Sequence, residues 1–223
     1  VAVFVVSDHG AKAMQGGVCI NEVLREAGWL VLREEPTTPG RLDPDQVDWA
    51  RTRAWGEGGY YARIFLNVAG REPEGIVPAV ERDRARADLS ELLETLALRD
   101  GPTLRNQVLW PERTYRAVRG LAPDLIVLFD DLRWRSLGTI GHGSTWLVGN
   151  DTGLDEANHA QEGLYVMNGT GARPGRARAS ILDIAPTVLD WMGLEGPADL
   201  LGRSLLGDSR AATAEGAARR AFE

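Results

Sequence analysis

Apolar positions along this chain follow two rhythms, and the switches between them mark its elements. Val1 to Val6 run without a polar break, the pattern of a strand buried on both faces, and the run stops at Ser7-Asp8-His9-Gly10. From Gly17 to Ala27 the period becomes helical: Ile20, Val23, Leu24 and Ala27 share a face, and Gly28 stands where a left-handed C-terminal cap belongs. Trp29 to Leu32 reads as a short strand, followed by a Pro/Thr/Gly/Asp loop over residues 35–45. A strand is expected over Tyr61–Val68 between glycine-rich turns. Glu81 to Arg99 then reads as a charged helix with Leu89, Leu92, Leu93 and Leu96 as its apolar stripe. Leu125 to Phe129 is a second strand apolar throughout, ending in acidic residues. Residues 138–171 carry little helix signal, and within them Leu164–Met167 follows Gly163 as a further strand. Asp183 is placed to cap a helix over Ile184–Met192, with Pro186 in its first turn and Gly193 as its stop.

This alternation of strand and helix predicts an α/β domain over residues 1–206, with residues 207–223, rich in Ala, Arg and Glu, as a flexible or helical tail. The chain opens without methionine, inside an apolar strand that needs neighbours, and is therefore expected to be the C-terminal part of a longer polypeptide. A net charge of −7 argues against a nucleic-acid polymer or an anionic membrane as partner. No run is long and apolar enough to span a bilayer, and the single cysteine, Cys19, forms no internal disulfide and suits a reducing cytoplasm as a small core residue.

Chemistry concentrates on few positions. Asp8 and His9 end the first strand, at the edge where open α/β sheets place their ligands, and the two donor types can share one divalent cation. The remaining histidines, His142 in GTIGHGS and His159 in ANHAQEGLYVMNG, also lie in turn-like segments. Asn67, Arg71 and Glu72 follow a strand and are candidates to shape a substrate pocket, as is His142; turn formation and surface pairing are the alternative.

SDHG after an apolar strand resembles the metal-binding motif of the alkaline phosphatase superfamily, and its type I phosphodiesterase/nucleotide pyrophosphatase branch above all. INEVLREAGWL, the DW…TRAW…IFLNVAGREPEGIV block, APDLIV, NHAQEGLYVMNG and DIAPTVLDWMGL…GRSLL follow in the order that branch shows. The resemblance implies a three-layer α/β/α sandwich with a largely parallel sheet. It implies two divalent ions, zinc first and manganese second, with Asp8 and His9 as ligands of one and His159 completing the shell of the other. It also implies hydrolysis of phosphate esters or nucleotides. The family's Thr or Ser nucleophile, early aspartate and Asp-x-x-x-His pair have no matching position; Asp155 and His159 spell that pair but stand late in the chain, so His159 alone is taken as a ligand. A phosphoglycerate mutase-like or sulfatase-like enzyme on the same scaffold and a non-catalytic module are the alternatives. A dinucleotide-binding protein is disfavoured because no Gly-x-Gly-x-x-Gly follows a strand.

Overall fold

A computed structural model describes residues 1–206 apart from Arg99, Thr152, Leu154 and Thr170, so the tail expected over 207–223 lies outside the described residues. The early strands are β1 (Val3–Val6), β2 (Gly10–Ala13), β3 (Gly16–Cys19), β4 (Gly40–Arg41), β5 (Ala54–Glu57) and β6 (Ala62–Leu66). They are followed by β7 (Gln107–Leu109), β8 (Leu125–Leu128), β9 (Trp134–Leu137), β10 (Thr139–Ile140), β11 (Trp146–Leu147), β12 (Ala157–Ala160) and β13 (Tyr165–Asn168). The helices are α1 (Ile20–Glu26), α2 (Arg82–Glu94), the single turn α3 (Pro111–Thr114) and α4 (Ile184–Trp191). The chain divides into two compact units, one of residues 11–161 and one joining residues 1–10 to those from 162 onward.

The larger unit is built on an antiparallel sheet in the order β5-β6-β8-β7. One face of it carries Ala54, Ala62, Ile64, Leu66, Leu125 and Val127, and the leucines Leu89 and Leu93 of α2 join the same buried core. Leu92 and Leu96 complete the stripe read from the sequence, half-buried against that core. A second sheet, β11-β3-β9, holds a parallel pair, β3 with β9, in the register Gly17 opposite Arg135 and Val18 opposite Ser136. β10 pairs with β4, and β12 with β2.

The two larger sheets of this unit are linked by the backbone pair of Gly59 with Ser136 and, beside it, by a buried amide. Asn21 on α1 accepts the Gly56 N–H at 2.9 Å and donates to the carbonyls of Gly56 and Gly138 at 2.9 and 2.8 Å. Close by, Gly58 and Gly138 touch backbone to backbone: a Cβ on Gly58 would come within 2.3 Å of the Gly138 nitrogen.

In the smaller unit β1 pairs antiparallel with β13, Phe4 opposite Met167 and Val5 opposite Val166. Phe4 points to α4, where its ring meets Trp191 edge-on at 5.7 Å. A capping box at Ser180 and Asp183 starts the turn that leads into α4.

Several expectations differ. Trp29–Leu32 is not a strand, Leu32 making only an isolated bridge to Val47, and Val3 and Val5 of β1 are exposed where burial on both faces was expected. The helix after the first turn begins at Ile20, because Gly16–Cys19 is a strand, so Cys19 is a buried residue at a strand end and not on the helix. The expected largely parallel sheet is instead mostly antiparallel in the described registers. The four residues between β5 and β6 leave no room for a crossover, so that pair must run antiparallel. What the structure supports is a mixed α/β fold with several sheets and few helices.

Candidate metal centre and its surroundings

Asp8 and His9 stand in the turn that leaves β1. Ser7 fastens that turn to the approach to β13: its N–H donates to the Leu164 carbonyl at 3.0 Å, and its hydroxyl accepts the Leu164 N–H at 2.8 Å. Gly163 makes this possible, since a Cβ there would fall 2.5 Å from the Ser7 hydroxyl. The His9 ring places Nδ1 2.8 Å from the Gly10 carbonyl. A carbonyl only accepts, so Nδ1 is the donor, and in the neutral ring this leaves Nε2 as the metal-binding nitrogen, with the other nitrogen held by backbone. Nε2 lies 3.6 Å from Asp8 Oδ1. Two ligands each about 2.1 Å from a tetrahedral ion stand about 3.4 Å apart, so this donor pair fits two corners of one zinc shell. Among the described residues no group of three or more His, Cys, Asp and Glu side chains is gathered as a complete site.

His159 belongs to the larger unit, on β12. Its ring lies on that of Tyr60, with centroids 3.6 Å apart, and its N–H donates to the Asn158 side chain at 2.9 Å. Asn158 in turn donates to the Tyr60 carbonyl at 3.3 Å, so one asparagine ties the histidine strand to the tyrosine turn. Arg135 on β9 also approaches this group, its guanidinium 5.6 Å from the Tyr60 ring centre and 3.5 Å from Asp155. Sequence reasoning left both Tyr60 and Arg135 unread. The available signal was an arginine inside the strand WRSL, between two residues that face the interior.

His142 is held twice in the larger unit. Its own N–H and those of Gly141 and Gly143 converge on one oxygen of the buried Glu22 carboxylate, at 2.9, 2.8 and 3.3 Å. Gly141 adopts a φ of 93° and Gly143 one of 62°, which lets three successive N–H groups face the same anion. The ring nitrogen Nε2 lies 2.8 Å from the Thr139 hydroxyl and 3.3 Å from Asp151. Thr139 donates its hydroxyl proton to Asp151, so Nε2 of His142 is the donor to Thr139. Cys19 lies near the same carboxylates: burial first, then the charges of Asp151 and Glu22, push its thiol up to about 12, which keeps it protonated and inert.

Asn67 is buried, and its amide nitrogen donates to the carbonyls of Trp49, Thr52 and Glu74 at 3.1, 2.9 and 3.0 Å. Arg71 reaches back to Asp124 at 2.6 and 3.0 Å, and Glu72 accepts the Val68 N–H at 2.7 Å. These three residues therefore organise the turn after β6. A separate cleft of about 280 Å³ in the larger unit is lined by Tyr61, Arg63, Pro111, Tyr115, Arg119 and Ile126, and no residue picked out from the sequence contributes to it.

Residues 1–159 match the type I phosphodiesterase / nucleotide pyrophosphatase family, from the strand that carries Asp8 and His9 up to His159 itself. The chain belongs to that family. The alkaline phosphatase superfamily, reached from SDHG and the ordered blocks, is consistent with this membership. The chain is also similar to a 2,3-bisphosphoglycerate-independent phosphoglycerate mutase of Gloeobacter violaceus, at 38% identity over 82 residues. That alignment covers 32% of this chain and 15% of the mutase, so the chain spans a small part of that curated relative. No solved structure gives a significant match. Among the described residues no helix is long and apolar enough to cross a membrane.

Proposed function

We propose that this chain is part of a metal-dependent phosphoric ester hydrolase of the phosphodiesterase/nucleotide pyrophosphatase kind, acting on phosphate esters or nucleotides in the cytoplasm. One observation carries the reading: in a chain of this family, a carboxylate and a correctly tautomerised imidazole converge to 3.6 Å at the end of β1. Asp8 and His9 would hold one ion, and His159 is assigned to the shell of a second. Zinc, or manganese in its place, suits an oxygen and imidazole donor set without thiolate. Such ions, when bound, activate the attacking hydroxyl and neutralise charge on the transferring phosphoryl group.

The chain's own residues supply position. The Gly10 carbonyl holds the His9 proton on Nδ1, and Ser7 fixes the turn. Tyr60 and Asn158 hold the His159 strand. In this reading His142 reaches substrate only through Nδ1, because Nε2 is committed to Thr139. Asn67, buried and committed through its nitrogen to three backbone carbonyls, acts on the pocket only by holding the turn after β6. The nucleophile and the remaining ligands are assigned to further polypeptide joined to this sequence.

The second reading, a phosphoglycerate mutase-like transfer, is favoured by the similarity to the Gloeobacter protein. One panel tests both. The complete encoded polypeptide, supplied with zinc or manganese, should hydrolyse bis-p-nitrophenyl phosphate. His159→Ala should lower that rate by about tenfold to a hundredfold or more. Wild-type rates in His159→Ala would remove it from the metal shell, and interconversion of phosphoglycerates without ester hydrolysis would select the second reading. The 223 residues alone should be nearly inactive.

A further inference from the structure

We propose that Arg135 is the phosphoryl-binding residue of this protein, receiving a non-bridging phosphate oxygen beside His159 with Tyr60 as the platform between them. The assignment rests on the hydrolase reading above and names a substrate contact that reading lacks.

Among the described residues five buried polar side-chain atoms lack a partner: Arg86 Nε, on a guanidinium whose other two nitrogens meet Glu112, and four on or beside the β11-β3-β9 sheet, Trp134 Nε1, Arg135 Nε, Ser136 Oγ and Thr145 Oγ1. Of these four, only Arg135 carries a full charge. Its side chain is 12% exposed, and its described carboxylate contact is a single long one, 3.5 Å to Asp155. A guanidinium so far removed from water is normally matched by a bidentate acid. The same chain shows what that looks like: Arg86 meets Glu112 at 2.5 and 2.8 Å, and Arg71 meets Asp124 at 2.6 and 3.0 Å. Arg135 is therefore a buried cation whose anion is only partly supplied.

Placement gives the second half. Gly17 stands opposite Arg135 in the parallel register, so no side chain on β3 crowds the root of the arginine. The guanidinium lies 5.6 Å from the centre of the Tyr60 ring, and that ring is in turn 3.6 Å from the ring of His159. A planar fork of N–H donors next to a ligand-type histidine is suited to a tetrahedral oxyanion, whose oxygens accept in the plane of the fork. The net charge of −7 sharpens the requirement, since an anionic substrate approaches a negative protein and needs a local cation to hold it.

Two measurements on the complete polypeptide test this: titration calorimetry with inorganic phosphate, and kcat/KM for p-nitrophenyl phosphate esters. Arg135→Met should weaken phosphate binding and lower kcat/KM by about tenfold to a hundredfold, the size of one charge-assisted hydrogen-bond pair. Arg135→Lys, which keeps the charge and loses the fork, should recover part of that loss. Asp155→Asn removes the competing carboxylate and should tighten phosphate binding, whereas a purely structural Arg135–Asp155 pair would leave binding unchanged or weaken it. Full binding and turnover in Arg135→Met would overturn the assignment and leave the hydrolase reading standing. Absence of both phosphate binding and ester hydrolysis in the wild type would overturn the two together. Should Arg135→Met fail to fold by circular dichroism, the sign of the Asp155→Asn effect decides.

Discussion

A single acid, Asp124, anchors the charges under α2. Burial alone would raise its carboxyl, but hydrogen bonds from Arg71, the Leu66 N–H and Arg82 outweigh that and hold it below the usual carboxylate range. Asp124→Asn would leave Arg82 without its described carboxylate and Arg71 with Glu72 alone, at a cost of about 1.5–3 kcal/mol by urea unfolding; a loss below about 1 kcal/mol would mean the network behaves like a surface pair. Glu112 is held at about 2, against an ordinary 4.5, chiefly by its hydrogen bond from Arg86. Because the folded value lies below the unfolded one, its stabilisation is complete above pH 4.5 and is lost as pH falls toward about 2. Melting temperature measured across that interval should fall less steeply in Glu112→Gln than in the wild type, and equal slopes would refute the linkage. From the sequence, Arg71 and Glu72 read as candidates to shape a substrate pocket, with turn formation and surface pairing as the alternative, and only Glu72 was within sight as a partner for Arg71. Asp124 lies 53 residues further on, and no local pattern encodes that partnership. Asp8, His9 and His159 stand out as candidates because histidine is rare here and each lies near a turn glycine or an apolar strand.

At the scale of elements, α2, β6, β8 and α4 were located to within a few residues: α2 and β6 bury regular stripes, β8 is an unbroken apolar run, and α4 is bracketed by Pro186 and Gly193. The apolar pattern failed on β1. The six-residue apolar run was read as buried on both faces, yet Val3 and Val5 are 52% and 55% exposed. Its described partner is β13 alone, and Phe4 is the β1 side chain that meets α4. An uninterrupted apolar run records what a strand can bury, not which way its neighbour runs, which is why a parallel sheet was expected and antiparallel pairing is found. Glycines hold more information about element approach than the apolar pattern does. Gly58 lies against Gly138 with no room for a methyl group, in the region where Asn21 joins β5 to residue 138. Gly58→Ala should therefore cost about 1–3 kcal/mol in chemical denaturation. A neutral substitution would show that the two backbones separate without loss.

Across the whole molecule, stability is unevenly placed, and the candidate ligands Asp8 and His9 sit where it is low. The larger unit encloses a continuous apolar core between α2 and a four-stranded sheet. The smaller one rests on a two-stranded sheet with outward valines, a construction that is marginal by itself. Amide exchange should accordingly be slowest in β6, β8 and α2 and markedly faster in β1 and β13. That difference makes the ion's position readable without any assay of turnover. An ion held by Asp8 and His9 binds the turn that β1 and β13 create, so it must stabilise their opening reaction by its binding free energy, about 2.7 kcal/mol at a hundredfold excess over Kd. Adding zinc should then slow exchange in β1 and β13 by about a hundredfold while leaving β6 and β8, which already open only with global unfolding, far less changed. Asp8→Asn should abolish that selective slowing. Uniform slowing, or none, would place the ion elsewhere, since a ligand protects only those amides whose exposure requires its release.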